Sequence, residues 1–199
     1  MIDNRNKAVA TLLNQIRDCT ICSKDLPHKP NPICSFAYNS KILLVGQAPG
    51  TKVHKSGIPW DDASGERLRE WLGVSKDTFY DPQSFAIVPM GFCYPGKGRS
   101  GDAPPRPECS REWMGKVRSH LDEVKLTILI GQYAQSYFLG EKKQKTLTMT
   151  VQNWKAYRPQ YIVLPHPSPR NNIWLKKNSW FIESVLPDVK KRVRASLLS

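Results

Sequence analysis

The sequence contains no apolar run approaching the roughly eighteen residues that a membrane-spanning helix needs. Its first residues also lack the long apolar core of a signal peptide. We therefore expect a cytoplasmic protein with no membrane partner. The five cysteines are not expected to form disulfides in such a reducing compartment.

Acidic residues are scarce, with 17 Asp and Glu against 30 Lys and Arg, so the formal net charge is +13. A surface this basic attracts phosphates and gains free energy from counterion release, which favours DNA or RNA as a partner. The alternative is a basic protein without such a partner. A length of 199 residues with 40% hydrophobic content predicts a single domain over residues 1–199.

Four short apolar segments predict buried strands: Lys41–Val45, Phe85–Met90, Leu126–Ile130 and Tyr161–Leu164. Predicted helices alternate with them, at Ile2–Arg17, Ala63–Leu72, Ser110–Leu121, Tyr133–Leu139, Val151–Tyr157 and Trp174–Leu186. This alternation predicts the α/β class, as a three-layer α/β/α sandwich with a central four-stranded parallel sheet. Residues 51–60 and 95–107 are expected to be loops.

Four turns are expected at one edge of this sheet: GQAPG at 46–50, GIPWDDASG at 57–65, MGFCYPG at 90–96 and HPSPRN at 166–171. Ligands of open α/β sheets bind beyond the carboxyl ends of the strands, which is the same edge. In the last turn, two prolines restrict the backbone around His166 and Ser168, so their polar groups are held in fixed directions. A rigid turn with a surface histidine is the alternative.

The ordered turns, together with Cys19, Cys22, Cys93 and Cys109, resemble the uracil-DNA glycosylase superfamily, and most closely its iron–sulfur families four and five. The resemblance runs from about Cys19 to the last helix. It implies a uracil-DNA glycosylase-like fold and a DNA repair enzyme of base excision. Such an enzyme flips uracil, or another deaminated base, out of DNA and hydrolyses its N-glycosidic bond, leaving an abasic site.

The same resemblance implies a monomer that acts on DNA, associated with the nucleoid in a prokaryote. No motif places a lysine as a Schiff-base nucleophile, so a monofunctional glycosylase is expected. The alternative is a catalytically weak or inactive lesion-binding or DNA-binding protein on the same scaffold.

Two acids of the superfamily are missing from the first turn. Gln47 stands where family four has a glutamate, and Ala48 where other members have an aspartate. Family five has an Asp-Ala-Ser-Gly motif that residues 62–65 match, which implies Asp62 as the catalytic acid that orients the water and stabilises the oxocarbenium ion, with Asp61 as the fallback. A helix cap is the other interpretation of Asp62. His166 is implied to hydrogen-bond the base oxygen and to stabilise the leaving anion.

Further roles follow from the resemblance. Trp60 is implied to stack on the flipped base, with core packing as the alternative. The remaining base-binding residues are expected to be Gly46, Gln47, Ala48 and Met90. The expected DNA contacts are Gly50, Ser168, Arg170 and Asn171. Pro89 replaces the asparagine with which family four recognises uracil, so hypoxanthine and xanthine are also candidate bases.

Cys19, Cys22, Cys93 and Cys109 are implied to ligate a structural [4Fe–4S] cluster. Zinc held by the same thiolates is the alternative metal, and scattered buried thiols are the alternative without one. The cluster is expected to hold the basic loop at 97–106 against DNA. Cys34 is expected to be an unligated thiol.

Overall fold

The strands of the computed structural model, which describes residues 2–99 and 101–199, form a parallel sheet and a small hairpin. They are β1 Ile42–Val45, β2 Phe85–Ile87, β3 Lys97–Gly98, β4 Gly101–Asp102, β5 Leu126–Ile130 and β6 Tyr161–Leu164. The parallel sheet has the order β2-β1-β5-β6, whereas β3 and β4 pair with each other in antiparallel fashion. The order changes direction at β1, so a crevice is expected beyond its carboxyl end.

The α-helices are α1 Ile2–Arg17, α2 Thr51–Ser56, α3 Ala63–Leu72, α4 Lys76–Tyr80, α5 Pro107–Cys109, α6 Gly115–Arg118, α7 Gly131–Leu139, α8 Leu147–Gln152, α9 Asn172–Lys177 and α10 Leu186–Leu197. Two π-helical segments, Ser110–Met114 and Phe181–Val185, join α5 to α6 and precede α10. Within the described ranges, no helix combines the length and apolar character that crossing a membrane requires.

Both faces of the parallel sheet are apolar because every strand contributes buried side chains in alternation. Leu43 and Val45 of β1 pack in one core with α1, α6 and α7. Ile42 and Leu44 point to the opposite core, which α3 and α10 complete. The predicted three-layer α/β/α sandwich around a four-stranded parallel sheet is therefore confirmed.

Strand β2 is shorter than predicted and ends at Ile87 rather than Met90. The chain nevertheless continues beside β1, because the N–H of Val88 donates to the Leu44 carbonyl and that of Met90 to the Gly46 carbonyl. Pro89 lies between these two donors, and because successive N–H groups of a strand point to opposite sides, the N–H that it lacks would face away from β1, so neither bond depends on it.

The helix predicted at Trp174–Leu186 is interrupted at Asn178. The side chain of Asn178 donates to the Trp174 carbonyl and accepts from the Trp180 indole N–H. An asparagine side chain that takes over such local bonds competes with the helical backbone. Helical structure then resumes and continues to Leu197, beyond the predicted end at Leu186.

Other segments also differ from the predictions. The helix predicted at Val151–Tyr157 is replaced by α8, which ends at Gln152, and by a 3-10 turn at Trp154–Tyr157, and α4 was not predicted. The helix predicted at Ser110–Leu121 is a π-helical segment followed by α6, which ends at Arg118. The segment at 51–60 contains α2, whose short length gave no clear apolar period. The segment at 95–107 carries the β3–β4 hairpin, and Ser100 in that predicted loop lies outside the described residues.

We predict that Phe181→Ala lowers the free energy of unfolding by about 3–5 kcal/mol, the usual cost of emptying a large aromatic site in a core. The Phe181 ring is fully buried and packs edge-on against Trp71 at 4.9 Å and Trp174 at 5.6 Å between ring centroids. Urea denaturation measures the change. The neighbouring Ile182 is 53% exposed, so Ile182→Ala is the matched control and should cost far less. Equal losses in the two variants would contradict this packing.

Candidate functional site

The turn at 46–50 follows β1 and is fixed by the segment after β2. The Gly91 N–H donates to the Gln47 carbonyl, which continues the bonding begun by Met90 and Gly46. The Gln47 side-chain amide donates to the Ala103 carbonyl at 3.3 Å. The turn is therefore tied on one side to the chain beyond β2 and on the other to the β3–β4 hairpin.

Trp60 is held between two glycines and adopts an uncommon backbone conformation. Its φ of 57° lies in the left-handed region, which costs a non-glycine residue free energy. A Cβ on Gly46 would lie 2.9 Å from Cζ2 of the indole, and one on Gly65 would lie 1.8 Å from the Trp60 carbonyl oxygen. Only glycine fits at these two positions, so the sequence fixes both the ring and its backbone.

Asp62 begins α3 as its N-cap. Its Oδ1 accepts the N–H of Gly65 at 2.9 Å, which satisfies one of the free donors of the first turn. The side chain also lines the cavity described below. The capping interpretation is therefore correct, and it leaves Oδ2 for contacts within the cavity.

His166 follows β6 and is fixed by its own loop. The Ser168 N–H donates to Nδ1 of the ring at 3.2 Å, so Nε2 carries the proton of the neutral imidazole. The Asn171 side chain donates to the His166 carbonyl at 2.7 Å. The ring lies 5.5 Å from that of Trp60, between centroids.

The charge state of His166 results from opposing effects. Burial lowers its pKa below the ordinary value, whereas the carboxylates of Asp62 and Asp102 act in the opposite direction. The net shift is downward, so the ring is neutral at pH 7 and presents Nε2–H as a hydrogen-bond donor.

These groups share one cavity of about 300 Å³ at the carboxyl edge of the sheet. That volume lies at the lower end of the roughly 300–1,000 Å³ typical of small-molecule sites. Its polar lining includes the backbone of the turn at 46–50, the side chains of Asp62 and His166, and Ser168 and Arg170 at the mouth.

The four predicted metal ligands meet at a second, smaller cavity of about 20 Å³. Cys19, Cys22, Cys93 and Cys109 all line it, whereas Cys34 does not. Two of the sulfur atoms accept hydrogen bonds. The Trp113 indole N–H donates to Cys19 Sγ at 3.4 Å, and the Phe92 backbone N–H donates to Cys109 Sγ at 3.2 Å.

Arg106 and Asn31 lie near the other two sulfurs. The Arg106 guanidinium acts to lower the pKa of the Cys22 thiol, and the backbone of Asn31 acts in the same direction on Cys93, although burial raises both pKa values overall. Two of the four sulfurs thus accept an N–H and the other two have a nitrogen donor nearby, an environment found around metal-bound thiolates. Within residues 2–99 and 101–199, no group of three or more His, Cys, Asp or Glu side chains is placed to hold a single metal ion.

Comparison with known proteins identifies the family of this chain. The family model described as the uracil DNA glycosylase superfamily matches residues 35–190. The chain belongs to this superfamily. The match contains Cys93 and Cys109 but begins after Cys19 and Cys22.

Among the solved structures that are similar to this chain is the solution NMR structure of "a putative Uracil DNA glycosylase" from Methanosarcina acetivorans. The two sequences are 15% identical, and the alignment covers 80% of this chain and 98% of that one, with a TM-score of 0.44. Family membership follows from the sequence match.

Most of the residues predicted from the superfamily resemblance lie together. The cavity is lined by Gly46, Gln47, Ala48, Gly50, Trp60, Asp62, His166, Ser168 and Arg170. Three predicted residues lie elsewhere. The Met90 side chain is buried in the core on the α1 side of the sheet, Asn171 is turned toward the His166 carbonyl, and the exposed Asp61 does not line the cavity.

Two features of the site were missed by the sequence analysis. Asp102, in β4, lines the cavity and acts electrostatically on His166. A sequence signal existed, because Asp102 is the only acidic residue between Tyr94 and Arg106. Arg67 of α3 was also missed; it donates to the Ser168 carbonyl at 3.2 Å and so joins α3 to the His166 loop.

His54 and His28, for which the sequence suggested no partner, stack with Tyr94. The centroid distances are 5.3 Å between the two histidine rings, 5.8 Å from His28 to Tyr94 and 5.9 Å from His54 to Tyr94. This cluster joins α2 to the chain around Cys93 and lies outside the lining of the larger cavity.

We predict that His166→Gln flattens the acid side of the stability profile. Because the pKa of His166 is lowered on folding, the unfolded chain binds more protons below its ordinary pKa of about 6.5, and stability falls as the pH falls. The melting temperature between pH 7.5 and pH 5 should therefore decline less in His166→Gln than in the wild type. Part of the decline should persist, since burial also lowers the pKa of His54.

The control for this measurement is His120→Gln, a histidine that does not line the cavity. It should keep the acid-side slope of the wild type. A wild-type slope in His166→Gln would show that His166 is not held neutral by folding.

Proposed function

We propose that this protein is a monofunctional DNA glycosylase that removes a deaminated base, chiefly uracil, from DNA. The observation that carries the proposal is the convergence of Trp60, Asp62 and His166 in one cavity of nucleobase size. These groups supply an aromatic surface, a carboxylate and a neutral N–H donor. Hydrolysis of a glycosidic bond at a flipped nucleotide requires such groups.

The roles follow from the positions of these side chains. The flipped base stacks against Trp60, and the Nε2–H of His166 donates to a base oxygen on which negative charge develops. The bond from C1′ to the base nitrogen breaks, and its electron pair leaves with the base. Oδ2 of Asp62 orients the water whose oxygen bonds to C1′, and this water gives its proton to the carboxylate or to solvent.

Base recognition uses Gln47 in place of the family-four asparagine. Its amide nitrogen is engaged by the Ala103 carbonyl, so its side-chain oxygen remains to accept a hydrogen bond from the base. The imide N–H of uracil and the ring N–H of hypoxanthine are both suitable donors. Pro89, which lines the cavity, offers no competing amide. The substrates proposed for the site therefore extend beyond uracil to other deaminated bases.

DNA binding involves the mouth of the cavity. Ser168, Arg170 and Gly50 all line the cavity, and Arg170 is exposed. The net charge of +13 provides long-range attraction for the phosphate backbone.

The alternative function is recognition of a lesion without cleavage. One observation favours it: Asp62 already serves as a helix cap, and the acids that other members carry at positions 47 and 48 are absent. The assay below separates the two functions.

We predict that the purified protein releases uracil from a labelled oligonucleotide and that alkali then cleaves the strand at the abasic site. Asp62→Asn should lower single-turnover excision by about 10²–10⁴-fold, as for loss of a positioned acid–base group. Asp61→Asn should retain activity, because Asp61 does not line the cavity. The assay should also include hypoxanthine and xanthine substrates.

Other outcomes of this assay have definite meanings. Retained binding with no excision of any of the three bases would favour the lesion-binding function. Full activity in Asp62→Asn together with a loss in Asp61→Asn would reassign the acid. Strand cleavage without alkali would contradict the monofunctional mechanism and would point to Lys52, the lysine that lines the cavity.

We also propose that the four cysteines at the smaller cavity hold a structural [4Fe–4S] cluster. The chemistry of the site fits this group, because four thiols line one cavity and two of the sulfurs accept an N–H. A cluster binds each thiolate through its own iron, so its ligands stand further apart than four that share one zinc ion. Its role is to fasten the segment around Cys19 to the chain that leads into the hairpin.

We predict that anaerobically purified protein is brown and contains about four irons per chain, the content of one [4Fe–4S] cluster. Cys22→Ser should lose most of the iron and the broad visible absorbance. Cys34→Ser should keep both, because Cys34 lies outside the cavity, where burial raises its pKa to about 12. A colourless protein with one zinc would support the zinc alternative, and equal iron loss in both variants would contradict the ligand set.

A further inference from the structure

The β3–β4 hairpin lies between the two loops that carry the candidate chemistry. The Ala103 carbonyl accepts from the Gln47 side chain, and the Ala103 N–H donates to the Gly96 carbonyl at 2.9 Å. On the other side, a Cβ on Gly101 would lie 2.8 Å from Nη1 of Arg170, so the hairpin contacts the His166 loop. The hairpin thus has a defined position at the mouth of the cavity.

Asp102 has an unusual place in this hairpin. It is the single acid in a stretch that also contains Lys97, Arg99 and Arg106. Its Oδ2 would lie 3.5 Å from a Cβ on Gly50, so the carboxylate faces the last residue of the 46–50 turn. Within residues 2–99 and 101–199, it accepts no hydrogen bond and forms no ion pair. An unpaired carboxylate therefore faces the 46–50 turn, in which Gln47 and Ala48 replace the acids of other superfamily members.

An exposed carboxylate on a DNA-facing surface is unfavourable for binding, because it repels the phosphates that the surrounding cations attract. A purely structural role is also not supported, since no described group is bonded to the carboxylate. The remaining role is a contact with the nucleotide itself. Asp102 is exposed, whereas Trp60 and His166 are half-buried, so a base that stacks on Trp60 leaves the sugar as the part of the nucleotide nearest to Asp102.

We propose that Asp102 contacts the sugar of the nucleotide in the cavity and stabilises the positive charge that develops there when the glycosidic bond breaks. It acts beside Asp62 and supplies, from the hairpin, the carboxylate that Gln47 and Ala48 do not. The inference rests on the proposed glycosylase function for its place in a reaction. The attraction between Asp102 and a positively charged sugar can be measured without any reaction.

The test compares two oligonucleotides that differ only at one abasic position. One carries a pyrrolidine ring, which is cationic at neutral pH, and the other a neutral tetrahydrofuran ring. The wild type should bind the cationic analogue more tightly. Asp102→Asn should reduce that preference by about tenfold, as expected when one desolvated charge pair is lost. Its affinity for the neutral analogue should be unchanged or tighter, because a negative charge near the phosphates is gone.

The matched control is Asp77→Asn, which removes an equal charge from exposed α4 and should preserve the wild-type preference. Asp102→Glu should restore part of the preference lost in Asp102→Asn. An unchanged preference in Asp102→Asn would overturn the proposal, as would an equal reduction in Asp77→Asn.

A single-turnover excision assay separates this inference from the proposed function. If the wild type excises a deaminated base, Asp102→Asn should slow excision by at least about tenfold with little change in substrate affinity, the pattern of an interaction made only in the transition state. If the wild type excises none but prefers the cationic analogue through Asp102, the glycosylase function fails and the charge recognition by Asp102 stands.

Discussion

The close contact of Trp60 with Gly46 and Gly65 is the constraint on which the arrangement of the site depends. It joins the end of β1 to the first turn of α3 with no space for an extra carbon atom at either glycine. The left-handed backbone at Trp60 is the cost of that contact. The same contact places Asp62 at the start of α3 and the Trp60 indole beside His166. A stacking surface, a carboxylate and a donor are thereby positioned by one packing contact.

The cysteine cavity and the hairpin form a second, connected unit. Arg106 pairs with Asp25 at 3.3 Å and acts electrostatically on Cys22, which joins the segment after α1 to the chain that follows the hairpin. Pro27 of the same segment lies against Gly96, immediately before β3. The position of the hairpin therefore depends on the packing around the cysteines. A cluster at this place would act on the DNA-facing mouth through rigidity, without taking part in the reaction.

Features set by neighbours in the sequence were predicted well, and features set by tertiary placement were not. Strand β6 was predicted to the residue, because its apolar run ends at a proline. The Asp62 cap and the Gly73 end of α3 were equally local signals. The break at Asn178 was missed because it depends on two side-chain bonds that apolar periodicity does not show. Asp102 was missed because its importance arises only when a loop between β2 and β5 folds back over β1.

The charges of the molecule act at two length scales with opposite signs. Over the whole surface, an excess of Lys and Arg attracts the DNA backbone. At the cavity, two carboxylates, Asp62 and Asp102, act electrostatically on His166. In the proposed reaction these carboxylates would weaken ground-state binding, since they repel phosphates, but would become favourable once the sugar becomes positive. An interaction that strengthens only as the bond breaks lowers the barrier without tightening substrate binding, which is the condition for catalysis. A neutral His166 would meet the same condition in its proposed role, because its Nε2–H would strengthen its bond to the base only as the base becomes an anion.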